Sequence, residues 1–416
     1  MTHFNRTLVH RRIHWSLAAA LSFALAAVPA AAAPAAPKRD YRFDKAIPRP
    51  VLEAYLSRAI TMMDLCTGRG DVDDNIRMLK STGVKFAGRT LYLWGREKLL
   101  PELLKKARAI EAKVHTADPE MILQAGIFEI VTTQVNDVPV PEAVFRDLGL
   151  PIEQRNFNYD AMLYEDGTFK DHWSKGSSVP DIRRPETRLW FHHLAMSYVD
   201  AGMEAIHWGQ VALIGRKDAG WKGWWETLSR ARAYAAKKAR RHLLVCDAHT
   251  PDGGPMLEEK QLLFDFHSFP LRIKEVAGQP LKGVLEKGYH DSLFGRSKGG
   301  MTPSGWACLS LPYLVEFDNW GSSGKGGQPG VPWHTWGYDE ISWFARQPEA
   351  ERNAWLAYAW KLVRETDPNG FLQMPGSRIL HDPVDGKDWY YANSTATFPK
   401  GFSQEEAIRR IWAEDR

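Results

Sequence analysis

Two stretches of this chain, Cys246-Asp247-Ala248-His249 and Phe264-Asp265-Phe266-His267, repeat one Asp-x-His pattern. Residues two apart on a strand share a face, so each pair can aim a carboxylate and an imidazole into one space. Such groups either orient one another for hydrogen bonding to a substrate or hold a divalent ion. The first reading is favoured, because spacings such as H-E-x-x-H are absent. Two further acids end apolar runs: Glu316, in Tyr313-Leu-Val-Glu-Phe-Asp-Asn-Trp320, and Glu129, in Gly126-Ile-Phe-Glu-Ile130. A pair of carboxylates facing each other can donate a proton to a leaving group and attack, or activate water, from the other side. Glycosidic bonds are cut this way, with the acids ~5–5.5 Å apart for retention or ~6.5–9.5 Å for inversion. Glu316 is expected as nucleophile or base and Glu129 or Asp265 as general acid; the bland alternative for Glu316 is a salt bridge to an arginine.

The neighbours of these acids fit a sugar. The chain has 17 Trp, and an indole stacks on the apolar face of a sugar ring while polar side chains hold its hydroxyls. Trp94, Trp208, Trp320, Trp333 and Trp336 fall at expected strand ends or in loops. His207, Gln210, Asp247, His249, His267, Asp318 and Asn319 supply polar contacts. Trp224, Trp225, Trp355 and Trp360 lie in helical patterns and read as packing. Residues 321–330, glycine-rich with Lys325, read as a flexible lid rather than a phosphate cradle, since the P-loop order is missing.

These groups need a scaffold that gathers strand ends. Short apolar runs alternate with amphipathic helical segments, the pattern of βα units. Strands are expected at Ile60–Cys66, Gly88–Trp94, Met121–Val131, Met203–Val211, His242–Asp247, Leu262–His267, Pro312–Asp318 and Phe371–Met374. Helices are expected at Asp71–Leu79, Lys98–Lys113, Pro185–Val199, Trp221–Arg240 and Tyr338–Glu365, and Ser403 with Glu406 makes a capping box for a last helix. Eight such units predict an α/β (β/α)8 TIM barrel over residues 51–416, with long loops after strands three and six; a doubly wound open sheet is the alternative. The first long loop holds an expected hairpin, Ala161–Leu163 with Thr168–Lys170. In a barrel, catalytic groups come from strand C-termini, and the rim would carry Asp64, Arg96, Glu97, Glu129, His207, Gln210, Asp247, His249, Asp265, His267, Glu316 and Asp318.

The first 32 residues have a basic start (Arg6, Arg11, Arg12), an apolar run from Leu17 to Val28 and small residues after it, the layout of a secretory signal peptide. A Pro/Ala-rich linker to residue 50 follows. The protein is therefore expected to be exported, periplasmic or extracellular, with no membrane span once the signal is removed. There are 54 Lys and Arg against 50 Asp and Glu; the first 33 residues hold three of the Arg and no acid, leaving the remainder within one charge of neutrality. Without a basic stripe, nucleic-acid binding is excluded. Three cysteines, Cys66, Cys246 and Cys308, are too few for a disulfide framework. No cofactor is expected.

The stretches Glu204-Ala-Ile-His-Trp-Gly-Gln-Val211, Gly220-Trp-Lys-Gly-Trp-Trp225 and Leu243-Leu-Val-Cys-Asp-Ala-His249 resemble the fourth strand, following helix and fifth strand of the (β/α)8 glycoside hydrolase clan with catalytic Glu on strands four and seven. That resemblance implies a secreted glycosidase acting on a poly- or oligosaccharide, with Glu316 at the nucleophile position. Where the clan has Asn-Glu on strand four, this chain has Gly209-Gln210, and Gln cannot transfer a proton usefully near neutral pH. Either Glu129, Asp247 or Asp265 then supplies the acid, or the chemistry is that of a metal-dependent hydrolase or lyase with Asp247, His249, Asp265 and His267 as ligands, or the barrel binds sugar without cutting it.

Overall fold

The structure, a computed structural model, describes residues 39–250, 252–290, 297–321 and 337–415. The expected signal segment, most of the glycine-rich loop with Lys325, and Trp333 and Trp336 lie outside the described residues. Ten strands make one parallel-dominated sheet in a mixed α/β fold: β1 (Ala59–Met62), β2 (Phe86–Tyr92), β3 (Ile122–Gly126), β4 (Ala205–Gln210), β5 (Val245–His249), β6 (His267–Pro270), β7 (Tyr313–Glu316), β8 (Gly370–Leu372), β9 (Met374–Val384) and β10 (Lys387–Tyr391). Their order is β8-β7-β6-β5-β4-β3-β2-β1-β9-β10, and within it only the pairing of β9 with β10 is antiparallel. β8 pairs with β7 through Leu314 and Phe371, and β9 pairs with β1 through Ile60 and Met374. Only Gln373 separates β8 from β9, and its N–H donates to the Val315 carbonyl at 2.8 Å.

The helices follow local signals. In α1 (Arg49–Leu56) and α2 (Val72–Thr82), Pro48 and Asp71 stand at the N-caps, and the Asp71 carboxylate accepts from Asp74 N at 3.0 Å. Next come α3 (Leu100–Ala117), α4 (Pro185–Asp200) and α5 (Lys222–Lys238). The expected helix 338–365 is two, Glu340–Arg346 and α6 (Glu349–Thr366), because Pro348 between them cannot continue a helix. α7 (Glu405–Glu414) starts at Gln404 instead of the expected Ser403 cap; Ser403 has φ 61° and lies outside the helix. The expected hairpin about Asp166-Gly167 does not form. Tyr159–Met162 is a helical turn capped by Asn158, although the Gly167 turn itself is present at φ 76°. None of the described helices is long and apolar enough to cross a membrane.

Residues at or next to the starts of the strands plug one end of the sheet: Phe86, Ile122, Ala205, Val245, Phe266, Leu314 and Phe371. Residues 39–50, expected as linker, close over this plug. Ile47 is wholly buried, Tyr41 and Phe43 meet Tyr55 edge-on, and α1 already begins at Arg49. Everything at the opposite, C-terminal ends is therefore left to form the mouth.

One strand differs in a way that matters for the site. β6 runs 267–270, not 262–267, with Tyr313 opposite His267 and Glu316 opposite Pro270. Pro270 argues against a strand in sequence, yet it occupies the terminal residue, where a missing N–H is tolerated. The apolar run before it, Leu262 to Phe266, is buried, with Leu263 and Phe264 in the main core and Phe266 in the plug.

Candidate active site

At the C-terminal ends of the strands lies a cavity of about 1120 Å³. Its position follows from strand alternation. On β4, His207 lines the cavity while Trp208 turns outward, wholly buried against Phe191 and Trp224 of α4 and α5. Trp208 was expected to meet substrate; it belongs to the packing between sheet and helices. Gly209 then adopts φ 58°, and a Cβ there would collide with the Glu129 carboxylate, so glycine is required for Glu129 to approach the strand.

Two imidazole–carboxylate pairs stand side by side. Asp247 Oδ2 meets His207 Nδ1 at 2.8 Å, its Oδ1 accepts from Gln124 Nε2 at 2.6 Å, and Ser268 also donates to it. An ionised carboxylate only accepts, so the His207 proton sits on Nδ1 and Nε2 keeps its lone pair. That Nε2 is buried with no partner among the described residues. Burial lowers the His207 pKa against the opposing pull of Asp247. His249, whose ring centroid is 4.9 Å away, places Nε2 at 2.9 Å from Glu316 Oε1.

Glu316 is 1 % exposed, and each of its oxygens is occupied twice. Arg89 Nη2 and His249 share Oε1; Arg89 Nε at 3.0 Å and Arg378 Nη1 at 3.4 Å share Oε2. Burial alone would raise its carboxyl, but Arg89, His249 and Arg378 overcome it and hold it well below the usual carboxylate range. Arg378 continues to Asn319 (2.7 Å) and Asp318 (3.1 Å), and Asp318 to Arg272 (2.9 Å). Burial opposes ionisation of Asp318 too, and Arg272 with Arg378 outweighs it, so its pKa is lowered. The Arg272 guanidinium lies 4.4 Å from the Trp320 ring centroid.

Glu129 is held differently. It is 4 % exposed and lines the cavity; Gln210 donates to it twice, from backbone N at 2.8 Å and from Nε2 at 2.9 Å. No cation pairs with it among the described residues, whereas the other carboxylates lining the cavity, Asp64 and Asp318, meet Arg96 and the Arg272–Arg378 pair. Beside it stands an aromatic wall. Trp94, 41 % exposed, packs edge-on to Phe128 and Trp173, and Trp173 Nε1 donates to the Glu129 carbonyl at 2.8 Å.

Asp265 and His267 do not reach this cavity. With β6 starting at His267, Asp265 lies near the plugged end. There it accepts from Cys246 N (2.9 Å) and Arg232 (3.1 Å), and burial raises its pKa. His267 turns to Ser297 at 2.7 Å, and burial lowers it to about 3. The four expected metal ligands thus have separate partners: Asp247 with His207, His249 with Glu316, Asp265 with Arg232, His267 with Ser297. Among the described residues, no group of three or more His, Cys, Asp or Glu side chains is placed to hold an ion.

Sequence reasoning overlooked Arg89, Arg378, Phe128, Trp173 and Trp389. Arg89 did carry a signal: a single charge inside the apolar run Phe86–Tyr92 is costly to bury without a partner. It sits at φ 60° where the β2–β3 register shifts, a bulge that turns it into the mouth.

No family model matches the chain, and no curated protein matches its sequence. Among solved structures it is similar to a putative alpha amylase from Salmonella typhimurium, with 10% identity and a TM-score of 0.43 over 86% of this chain and 68% of that one. It is also similar to a GH27 β-L-arabinopyranosidase from Geobacillus stearothermophilus in complex with arabinose, with 12% identity and a TM-score of 0.30 over 51% of this chain and 54% of that one. An alpha-amylase from Geobacillus thermoleovorans complexed with acarbose gives 11% identity and a TM-score of 0.29, over 48% of each chain. Superpositions this loose fix neither the fold nor the chemistry of the chain, which rest on its own side chains.

Proposed function

We propose that this protein is an exported glycoside hydrolase in which Glu129 is the general acid and the Asp247–His207 pair the base that activates water. The observation that carries the reading is the contrast among carboxylates: of those lining the cavity, Glu129 alone has no cationic partner among the described residues. A proton donor must spend part of its time protonated, and an arginine beside it opposes that. Glu129 would protonate the leaving oxygen, while His207 Nε2 takes a proton from water attacking the anomeric carbon and Asp247 stabilises the imidazolium that results.

This assigns Glu316 a different task from nucleophile. Esterification would remove its charge and leave Arg89 and Arg378 buried against a neutral group; breaking a buried pair costs about 3–5 kcal/mol. Glu316 instead holds His249 and two arginines in place. Gln210, whose presence on strand four favoured a silent sugar-binding barrel, acts as the positioning residue for Glu129. For the scaffold, we infer that the sheet closes as a (β/α)8 barrel. The run Gly370–Ser377 pairs with β7 on one side and β1 on the other, which gives each of the eight parallel strands two neighbours.

The test is release of reducing ends from a panel of poly- and oligosaccharides. Glu129→Gln should lower turnover by about 10²-fold or more, and NMR of the first product should show inversion at the anomeric carbon. Full activity in Glu129→Gln sinks the reading, and retention would return Glu316 to the role of nucleophile. Export is tested by sequencing the mature N-terminus.

A further inference from the structure

Five arginines, Arg69, Arg89, Arg96, Arg272 and Arg378, line the main cavity. Four are matched: Arg89 and Arg378 by Glu316, Arg96 by Asp64, and Arg272 by Asp318. Arg69 is not. Its guanidinium has no hydrogen bond or ion pair among the described residues and lies 4.2 Å from the centroid of the Trp389 ring. A cation–π contact with an indole uses none of the guanidinium's N–H donors, and that fork can grip an oxyanion bidentately.

The place of this arginine gives it a use. Arg69 and Trp389 line both the main cavity and a neighbouring depression of about 690 Å³. The depression continues the aromatic surface with Tyr391 and Phe398, which pack in one cluster with Phe128 of the main cavity. Of the three acids that line it, Asp71 caps α2, Asp73 pairs with Lys113, and Asp388 stands beside two further cations of the lining, Lys387 and Lys400; none of the three makes an ion pair with Arg69 among the described residues.

We propose that the substrate is an anionic saccharide, one of whose carboxylate or sulfate groups docks on Arg69 where the two cavities meet. The proposal rests on the reading of the main cavity as a saccharide site, and it adds a charge requirement that the catalytic assignment does not contain.

Binding is measured by calorimetry on the full chain carrying Glu129→Gln, so that cleavage does not interfere. The probes are oligogalacturonate against its neutral methyl ester, and a sulfated galactan oligomer against the unsulfated one. At least one acidic probe should bind about tenfold more tightly than its neutral twin, and the pair that shows the difference tells carboxylate from sulfate. Arg69→Gln should erase that difference while leaving neutral binding in place; Arg69→Lys, which keeps the charge but not the fork, should restore only part of it. Neutral probes binding as tightly as acidic ones, no binding of either acidic probe, or a charge preference that survives Arg69→Gln would each overturn the proposal. A preserved preference in a protein that cuts no glycan would defeat the catalytic reading and leave this one standing.

Discussion

Replacing Glu316 by glutamine is the sharpest perturbation of the mouth. It removes one negative charge from between Arg89, Arg378 and His249 while keeping the side chain's volume. Arg378 retains Asp318 and Asn319, so the loss falls chiefly on Arg89, which is buried and has no other carboxylate contact among the described residues. Removing one member of a buried pair costs about 3–5 kcal/mol. With an unfolding entropy of ~2.1 cal/mol/K per residue, a unit of this size loses ~0.8 kcal/mol per degree, so the melting temperature should fall by about 4–6 °C. The pH dependence follows from the depressed carboxyl. Its stabilisation is fully present above the unfolded value of ~4.3 and is lost as pH falls through the lower folded value. The gap between wild type and Glu316→Gln measured at pH 7 should therefore persist at pH 5 and narrow only in stronger acid. Replacing both partners, in Arg89→Met with Glu316→Leu, should cost less than Glu316→Gln alone, since no charge is stranded. A Glu316→Gln melting temperature within a degree of wild type at pH 7, or a double variant worse than either single one, would refute the ion-pair account.

Three further outcomes are expected. Because burial keeps His207 neutral below its ordinary range and Asp247 pulls the other way, the acidic limb of the kcat profile should lie below ~6.5. Asp247→Asn should move that limb lower still and cut the rate by about 10²-fold or more; an upward shift counts against the dyad. Trp208→Ala should cost about 3–5 kcal/mol of stability with KM unchanged, and Trp94→Ala the reverse, a raised KM with little change in melting; melts and Michaelis curves on both variants decide it. Asp265→Asn should leave kcat intact, and a large loss of turnover in a protein that melts normally would put Asp265 back in the mechanism.

Much of this was legible from residue types alone. Seven of the eight expected strands overlap an observed strand over several residues, the sixth touches its strand only at His267, and the acidic strand ends pointed to Glu129, Asp247 and Glu316. What misled was phase. Leu262 to Phe266 has the hydrophobicity of a strand, but it is buried chain leading into the strand, with Leu263 and Phe264 in the main core and Phe266 in the plug, and moving the strand to 267–270 carries Asp265 and His267 out of the mouth. For Trp208 the strand was right, but its parity puts it on the outer face whenever His207 faces in. Arg378 was missed for another reason: the strand expected to end at Met374 runs on to Val384, where the Asp385-Gly386 turn, both residues at positive φ, ends it.

The substitution of Gln210 for a strand-four acid reads differently once Glu129 is seen beside it. A sugar experiences an acid at a point in space, not at a position in a sequence. Gly209 at positive φ lets the Glu129 carboxylate approach β4, and Gln210 then grips both its oxygens with neutral donors. Glu316 shows the opposite choice: two guanidiniums and an imidazole hold it ionised and fully engaged. The two glutamates thus differ in their surroundings, two guanidiniums and an imidazole about Glu316 and the neutral donors of Gln210 about Glu129, and the proposed division of roles rests on that difference.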